Sequence, residues 1–484
     1  MFEQIIPVVI VGAGFSGVLM GIELRKRKIP FLILEKSQGI GGTWFENTYP
    51  GAGCDVVSNL YSYSFARKTD WSRRFAPHSE IRAYLEECAD RYDVRRDIML
   101  GHEVQGARYS SAEKLWDITL SDGRILRAQA VVFAVGQLNR PSIPDFPGRK
   151  DFSGVSFHSA RWRHDCDLAG KRVAVVGSGA SAIQFLPHVA RQAQHVTLFQ
   201  RSPNWIIAKD DRDVSEGEKQ LNKRVPLLLW LRRAWEYWQL EFSFPAFLNG
   251  SRKGKKWEDA CKATIASTIK NPVLREALTP NYPVGCKRLL LSDDWFQTLA
   301  RDNVDVITRP IDTFLRDGIA TADGTTYPAD VIIYATGFDA RQMLAPMQIE
   351  GPDGRKLQDA WQPHAHAYLG VTVPNFPNAF IMYGPNTNLG HGSIIFMLEC
   401  QARYIVKAIG ALRRNGRSAI APKPRATQSF NTKTQARLSR TVWSANCSNW
   451  YKGDDGVIVN NWSSTKTRYW WALRRFRMRD YDQW

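Results

Sequence analysis

Arg201 and Ser202 close the second of two β-α-β units in the place where Glu35 closes the first, and that exchange decides which nucleotides the chain can hold. In the first unit Gly12, Gly14 and Gly17 join an apolar run at 8–11 to a helical stretch at 15–27. Glycines at this spacing allow a tight turn, a close approach to a pyrophosphate and helix-on-strand packing. The helix N-terminus favours the phosphates, and an acidic residue at the end of the second strand takes a ribose hydroxyl. In the second unit Gly177, Ser178, Gly179, Ser181 and Ala182 follow the strand at 172–176, and the strand at 196–199 runs into Gln200, Arg201 and Ser202. A carboxylate there would repel a 2′-phosphate, whereas Arg201 can pair with one and Ser202 can donate to it. The pattern predicts a flavin dinucleotide, FAD, on the first unit and NADPH on the second.

These residues need two parallel sheets to position them, so the fold class is α/β, with two Rossmann-like dinucleotide-binding domains. Segments 131–136 and 331–337 resemble each other: each is a buried strand ending in a small residue and glycine, Gly136 or Gly337. Both are read as returns to the first sheet, where glycine permits close approach to the flavin nucleotide. The FAD-binding domain is then discontinuous, 1–150 resumed at 327–484, around an NADP-binding domain at 151–326 that carries a helical insertion at about 212–275. In that insertion Leu227, Leu231, Trp235, Trp238 and Phe242 recur at helical spacing and are read as core, with a substrate funnel or membrane contact as the alternatives.

A second chemical constellation follows the first unit. Gly41, Gly42, Thr43 and Trp44, then Tyr49-Pro50-Gly51 and Asp55, make a loop whose glycines let the backbone pass a ring system that Trp44 can cover, and Tyr61 is placed with them. The segment from Gly41 to Asp55 resembles one signature of the Baeyer–Villiger monooxygenases, and Phe152, Gly154, His158 and Trp162 resemble that family's F-x-G-x-x-x-H-x-x-x-W fingerprint. Arg163 departs from it, where Pro or Asp is usual. The resemblance covers nearly the whole chain and implies an FAD-containing, NADPH- and O2-dependent enzyme converting ketones to esters or lactones through a flavin peroxide. Related N- and S-oxygenating flavin monooxygenases share much of the pattern, so amines or sulfides remain the alternative substrates. The resemblance assigns Arg288 a place beside the flavin, Asp55 the carboxylate that positions it, and Lys287 the NADPH phosphate. His158 is given a hinge or hydrogen-bonding role in the linker. At 384–392 a Gly/Asn-rich turn holding Asn386 precedes a helix at 394–409 and is read as presenting N–H groups to the flavin's oxygen-rich edge, with helix capping as the alternative.

The 484 residues are 44% apolar and 12% aromatic, which fits globular domains and excludes a disordered chain. No apolar run reaches the roughly 20 residues of a spanning helix. The N-terminus enters its first strand with no room for a cleaved signal, and seven scattered cysteines without C-x-x-C spacing fit reduced thiols and no metal site. These features predict a cytoplasmic protein. A two-nucleotide disulfide reductase needs a cysteine pair beside the flavin, and Cys54 has no partner nearby in sequence. Of the +18 net charge, residues 401–484 hold 17 Lys and Arg against four Asp. This basic segment is read as a solvated surface near polyanionic cofactors, with weak membrane-surface association as a further possibility and no nucleic-acid module beside it.

Overall fold

Two parallel sheets organise the chain, each built around one glycine unit. A computed structural model describes residues 5–414, 419–447, 449–453 and 455–483; Arg417, counted in the basic C-terminal segment, lies outside them. Ile6–Val11 (β1), Phe15–Arg25 (α1) and Phe31–Glu35 (β2) form the first unit. Val8, Val9 and Ile10 are fully buried, as a strand covered on both faces requires. β1 lies between β2 and Ile125–Phe133 (β3), all parallel, with Val8 opposite Phe31 and Val9 opposite Val131. Ile98–Leu100 extends the sheet beyond β2, while Leu115–Leu120, Val104–Ser110 and Gln348–Glu350 extend it beyond β3, and Ala379–Ile381 also pairs with β3.

Arg172–Val176 (β4), Ala180–Gln192 (α2) and His195–Phe199 (β5) form the second unit. Its sheet runs Val304–Ile307, β5, β4, Val331–Tyr334 (β6), Val155–His158. β6 therefore does not return to the first sheet, as its likeness to 131–136 suggests. It pairs in parallel with β4, Val331 opposite Val173, and with Val155–His158. All four of its residues are buried, and an apolar run of that kind suits the centre of either sheet. The likeness to β3 has a local cause. Gly12 and Gly177 sit at φ +104° and +102°, and a Cβ on either would fall 2.8 Å from the Ala134 carbonyl oxygen or 2.6 Å from that of Ala335. Each fingerprint is thus packed against the end of its own returning strand.

Between the second unit and Val304–Ile307 come the helices Glu216–Arg224, Pro226–Glu241 (α3), Arg252–Thr268 and Pro272–Leu278. The apolar stripe of α3 is not core: Leu227, Leu231, Trp235, Trp238 and the following Phe242 are all exposed. The face turned inward is the charged one. Arg233 donates to the Ser62 carbonyl at 2.9 Å and the Ser62 hydroxyl at 3.0 Å, and Glu241 accepts from the Thr467 amide at 2.9 Å. Ile394–Arg414 (α4) packs on α1 and on Lys466–Leu473 (α5), closing the first core. Among the described residues no helix is long and apolar enough to cross a membrane.

The cysteine reading is corrected by one pair. Cys286 and Cys447 form a disulfide across 161 positions of sequence, while Cys54, Cys88, Cys166, Cys261 and Cys400 are free. Spacing in the sequence cannot reveal two thiols that only the tertiary fold brings together.

Candidate active site

A cavity of about 1630 Å³ runs between the two sheets and is lined by both fingerprints. From the first unit Gly12, Gly14 and Glu35 face it. The Glu35 carboxylate accepts the Ala13 amide at 2.7 Å and the Ser37 amide at 2.8 Å, which fixes it at the end of β2 beside the turn. Gly17 does not face the cavity. A Cβ there would lie 1.8 Å from the Gly12 carbonyl oxygen, so its part is to let α1 lie on the turn.

The loop carrying Gly42, Thr43, Trp44 and Asp55 also lines the cavity, with Tyr61 beside it. The Trp44 indole N–H donates to the Tyr61 hydroxyl at 3.3 Å, and the two rings meet edge-on at 5.5 Å. Farther along, the Tyr49 hydroxyl donates to the Gln184 side chain on α2 at 3.0 Å, and Gln184 donates back to the Gly53 carbonyl at 3.0 Å. The loop of the first unit thus leans on the helix of the second. Cys54, buried beneath it, has its thiol pushed well up by burial and then by Asp55, so it stays protonated. Neither Cys286 nor Cys447 lines the cavity, and their bond ties the loop before Lys287 to the C-terminal segment.

Arg288 forms an ion pair with Asp55 across the cavity. Asp55 is the largest cause of the raised guanidinium pKa, offset by burial and aided by Tyr451 and Tyr383. The Arg288 side chain keeps 42% of its surface accessible and lines the cavity. A fixed, planar, permanently charged group therefore looks into a space walled by both nucleotide units.

The second unit contributes Gly177, Ser178, Gly179 and Ser181 at the turn and Arg201 and Ser202 at the end of β5, all cavity-lining. The Lys287 ammonium donates to the Ser202 hydroxyl at 2.5 Å, and its pKa is pushed down by burial and then by Arg201. Among the described residues neither cation forms an ion pair with a carboxylate. Two like charges and a hydroxyl crowded together without an acid are a donor set that can accept a phosphate.

The linker fingerprint is structural on one side and coupling on the other. Trp162 packs between Phe157 and Phe185. His158 is buried, its Nδ1 accepts the Ala160 amide at 3.1 Å, and burial lowers its pKa to about 4, so it is neutral near pH 7. Arg161 pairs with Glu46 of the flavin loop. The irregular Arg163 is exposed, pairs with Asp165 at 2.7 Å and does not line the cavity.

Gly337 lines the cavity but Asn386 does not. The Asn386 amide donates to the carbonyls of Ile458 at 2.7 Å and Asn461 at 3.1 Å, so this side chain fastens the turn to the C-terminal segment. Asn388 of that turn does face the cavity, and its amide oxygen accepts the Tyr383 hydroxyl at 2.6 Å. Sequence reading missed Gln137, Tyr383 and His391 as well, all of them lining residues. Gln137 follows the Gly136 turn and leaves its side-chain oxygen without a partner in a buried position. His391 is 5% exposed, has both ring nitrogens unpartnered, and is held neutral with a pKa lowered to about 3 by burial and then by Lys466. Position next to a glycine turn was the available signal for both.

Known proteins resemble this chain over nearly its whole length. Residues 9–219 match the family described as pyridine nucleotide-disulphide oxidoreductase. A Baeyer–Villiger monooxygenase of Streptomyces coelicolor is 38% identical over 99% of this chain and 92% of its own length. One from Pseudomonas aeruginosa is 40% identical over 92% of this chain and 85% of its own. A crystal structure of OTEMO in complex with FAD and NADP superposes with a TM-score of 0.90 at 28% identity, covering 100% of both chains.

Proposed function

This chain belongs to the Baeyer–Villiger monooxygenases, and from that premise we propose how its own residues divide the work. The enzyme uses FAD, NADPH and O2 to oxidise a small-molecule substrate. When bound, the flavin reduced by NADPH supplies the activated oxygen that is inserted beside a ketone carbonyl, giving an ester or lactone. The residues present fit both cofactors. A Cβ on Gly179 would meet nothing within 4 Å, so the backbone there is open to a pyrophosphate, while Gly12 and Gly177 let the turns pack on the Ala134 and Ala335 carbonyls, and Glu35, Gly42, Thr43, Trp44 and Tyr61 line the space for the flavin. Arg201, Ser202 and Lys287 hold the 2′-phosphate, a role supported by their crowding without a carboxylate. Gly337 marks the crossing between the two units, after which the chain rejoins the FAD side.

Arg288 presents positive charge to the oxygen that gains negative charge during insertion, and Asp55 holds the guanidinium in that orientation. Preorganised charge of this kind is usually the largest catalytic term. The single observation that carries the reading is this pair, set over a cavity that both fingerprints line. Trp44, Tyr61 and the Tyr49–Gln184 bracket help exclude water and keep the two nucleotide units in register. His158, neutral and buried, positions the linker and moves no proton near pH 7. A cytoplasmic location and weak membrane-surface association complete the reading, the second supported by the basic C-terminal segment.

A panel of ketones and thioethers, offered to FAD-loaded protein with NADPH, tests the substrate class. Esters from ketones, formed in step with NADPH oxidation, are the expected result. Sulfoxides with no ester from any ketone would assign the enzyme to heteroatom oxygenation instead.

A further inference from the structure

Helix α3 is inverted for a helix of a globular surface. Its charged side chains face the protein and its large apolar ones face out. Leu227, Trp230, Leu231, Trp235 and Trp238, with Phe242 just beyond, recur every three or four residues and are between 46% and 66% exposed. A contiguous apolar stripe on one helix face is more than scattered surface hydrophobicity and marks an interaction site. The inner face is specific and well bonded: Leu229 is buried, Arg233 is bonded to Ser62, and Glu241 accepts the Lys466 and Thr467 amides. The helix cannot roll to hide its stripe without breaking these bonds.

The same helix forms part of the cavity wall. Glu236, Gln239 and Leu240 line it, followed by Ser243, and Gln239 is exposed, so the stripe adjoins the cavity rim. Basic residues frame both ends. Lys223 and Arg224 precede α3 and are exposed, and Arg252, Lys253, Lys255 and Lys256 open the helix that follows. The Lys253 ammonium donates to the Phe242 carbonyl at 2.8 Å, which pins this basic turn to the end of the stripe. Trp, Leu and Phe flanked by Lys and Arg is the composition of a helix that lies in a lipid headgroup boundary. A second copy of this chain suits the face less well, because pairing two such faces would bring their basic ends together.

We propose that α3 docks the enzyme on an anionic lipid surface and sets the cavity rim against it, so that lipophilic ketones enter from the bilayer. The docking stands on the helix alone, and the substrate class rests on the function proposed above. The test is co-sedimentation of the FAD-loaded full chain with phosphatidylcholine vesicles, with and without phosphatidylserine, at low and high salt. The comparison variants are Leu231→Glu/Trp235→Glu and Lys255→Glu/Lys256→Glu, none of which lines the cavity. The parent is expected to pellet with the anionic vesicles, less so at high salt, and each variant to bind at least about tenfold more weakly. Turnover of a water-soluble ketone should be equal in all three, while turnover of a long-chain ketone held in the vesicles should fall in the variants. No pelleting at low salt, or equal pelleting of parent and variants, would overturn the proposal. So would a lipid-free dimer of the parent that Leu231→Glu/Trp235→Glu abolishes. Vesicle binding needs no turnover, so loss of the docking claim and loss of the oxygenase claim give different results.

Discussion

Replacing Arg288 by alanine removes the charge at the centre of the proposed site, and the structure sets the size of the effect. The guanidinium is paired with Asp55 and lines the cavity, with 42% of the side chain's surface accessible. That accessibility means the interaction with Asp55 itself is partly screened. At an effective dielectric between water and protein surface, a close pair is worth on the order of 1–4 kcal/mol. Transition-state charge is another matter, because seated cofactors and substrate exclude water from the same space. Removing one preorganised donor from such a site costs about 2.7–4 kcal/mol, or roughly 10²–10³ in kcat. Arg288→Ala should therefore lose about that factor in ester formation while retaining FAD, because none of the glycine turn residues is touched. Arg288→Lys should fall between, keeping a charge but losing the planar fork. The assay follows ester by mass and FAD by absorbance in the same sample. Ester formation within about threefold of the parent, with FAD fully bound, would remove Arg288 from the role given to it.

Other residues give independent tests. Arg201→Ala should weaken NADPH by roughly 10–100-fold, the scale of one charge-assisted hydrogen bond, and leave NADH nearly unchanged; an unaltered ratio of KM values would refute the phosphate assignment. Asn386→Ala should lower stability by about 1–3 kcal/mol, since its Ile458 and Asn461 acceptors lose their donor, yet spare FAD affinity in titration. If FAD affinity fell without loss of stability, Asn386 would belong to the flavin site after all. His391, with its pKa lowered to about 3, takes up its proton more readily when unfolded. Its contribution to stability is intact above about pH 6.5 and is lost as pH falls toward 3, at up to about 1.4 kcal/mol per pH unit. Urea unfolding at pH 6.5 and 5 should show a smaller drop for His391→Gln than for the parent.

The glycine fingerprints, Glu35 and the Gln200-Arg201-Ser202 exchange were legible in the sequence because their chemistry is local: each depends on a few residues around one turn. The Arg288–Asp55 pair could be read only through family resemblance, since the partners lie in distant segments and nothing local signals their meeting. Three errors share a cause. Val331–Tyr334 reads as a central parallel strand but not of which sheet. The stripe on α3 shows helical period but not which face turns inward, and the buried bonds of Arg233 and Glu241 decided it. Asn386 and Asn388 sit in one turn, and only the C-terminal segment beneath it determines that Asn386 points away from the cavity. Gln137 and His391 went unread because a lone polar residue after a glycine has many uses, and burial without a partner is a property of the fold.

The most direct test of the central claim is the fate of isotopically heavy O2 during turnover of a ketone by FAD-loaded protein with NADPH. The account predicts an ester or lactone carrying one labelled oxygen, formed in step with NADPH oxidation and roughly 10²–10³-fold more slowly in Arg288→Ala. NADPH oxidation that yields no labelled ester from any ketone, in protein with FAD fully bound, would contradict it.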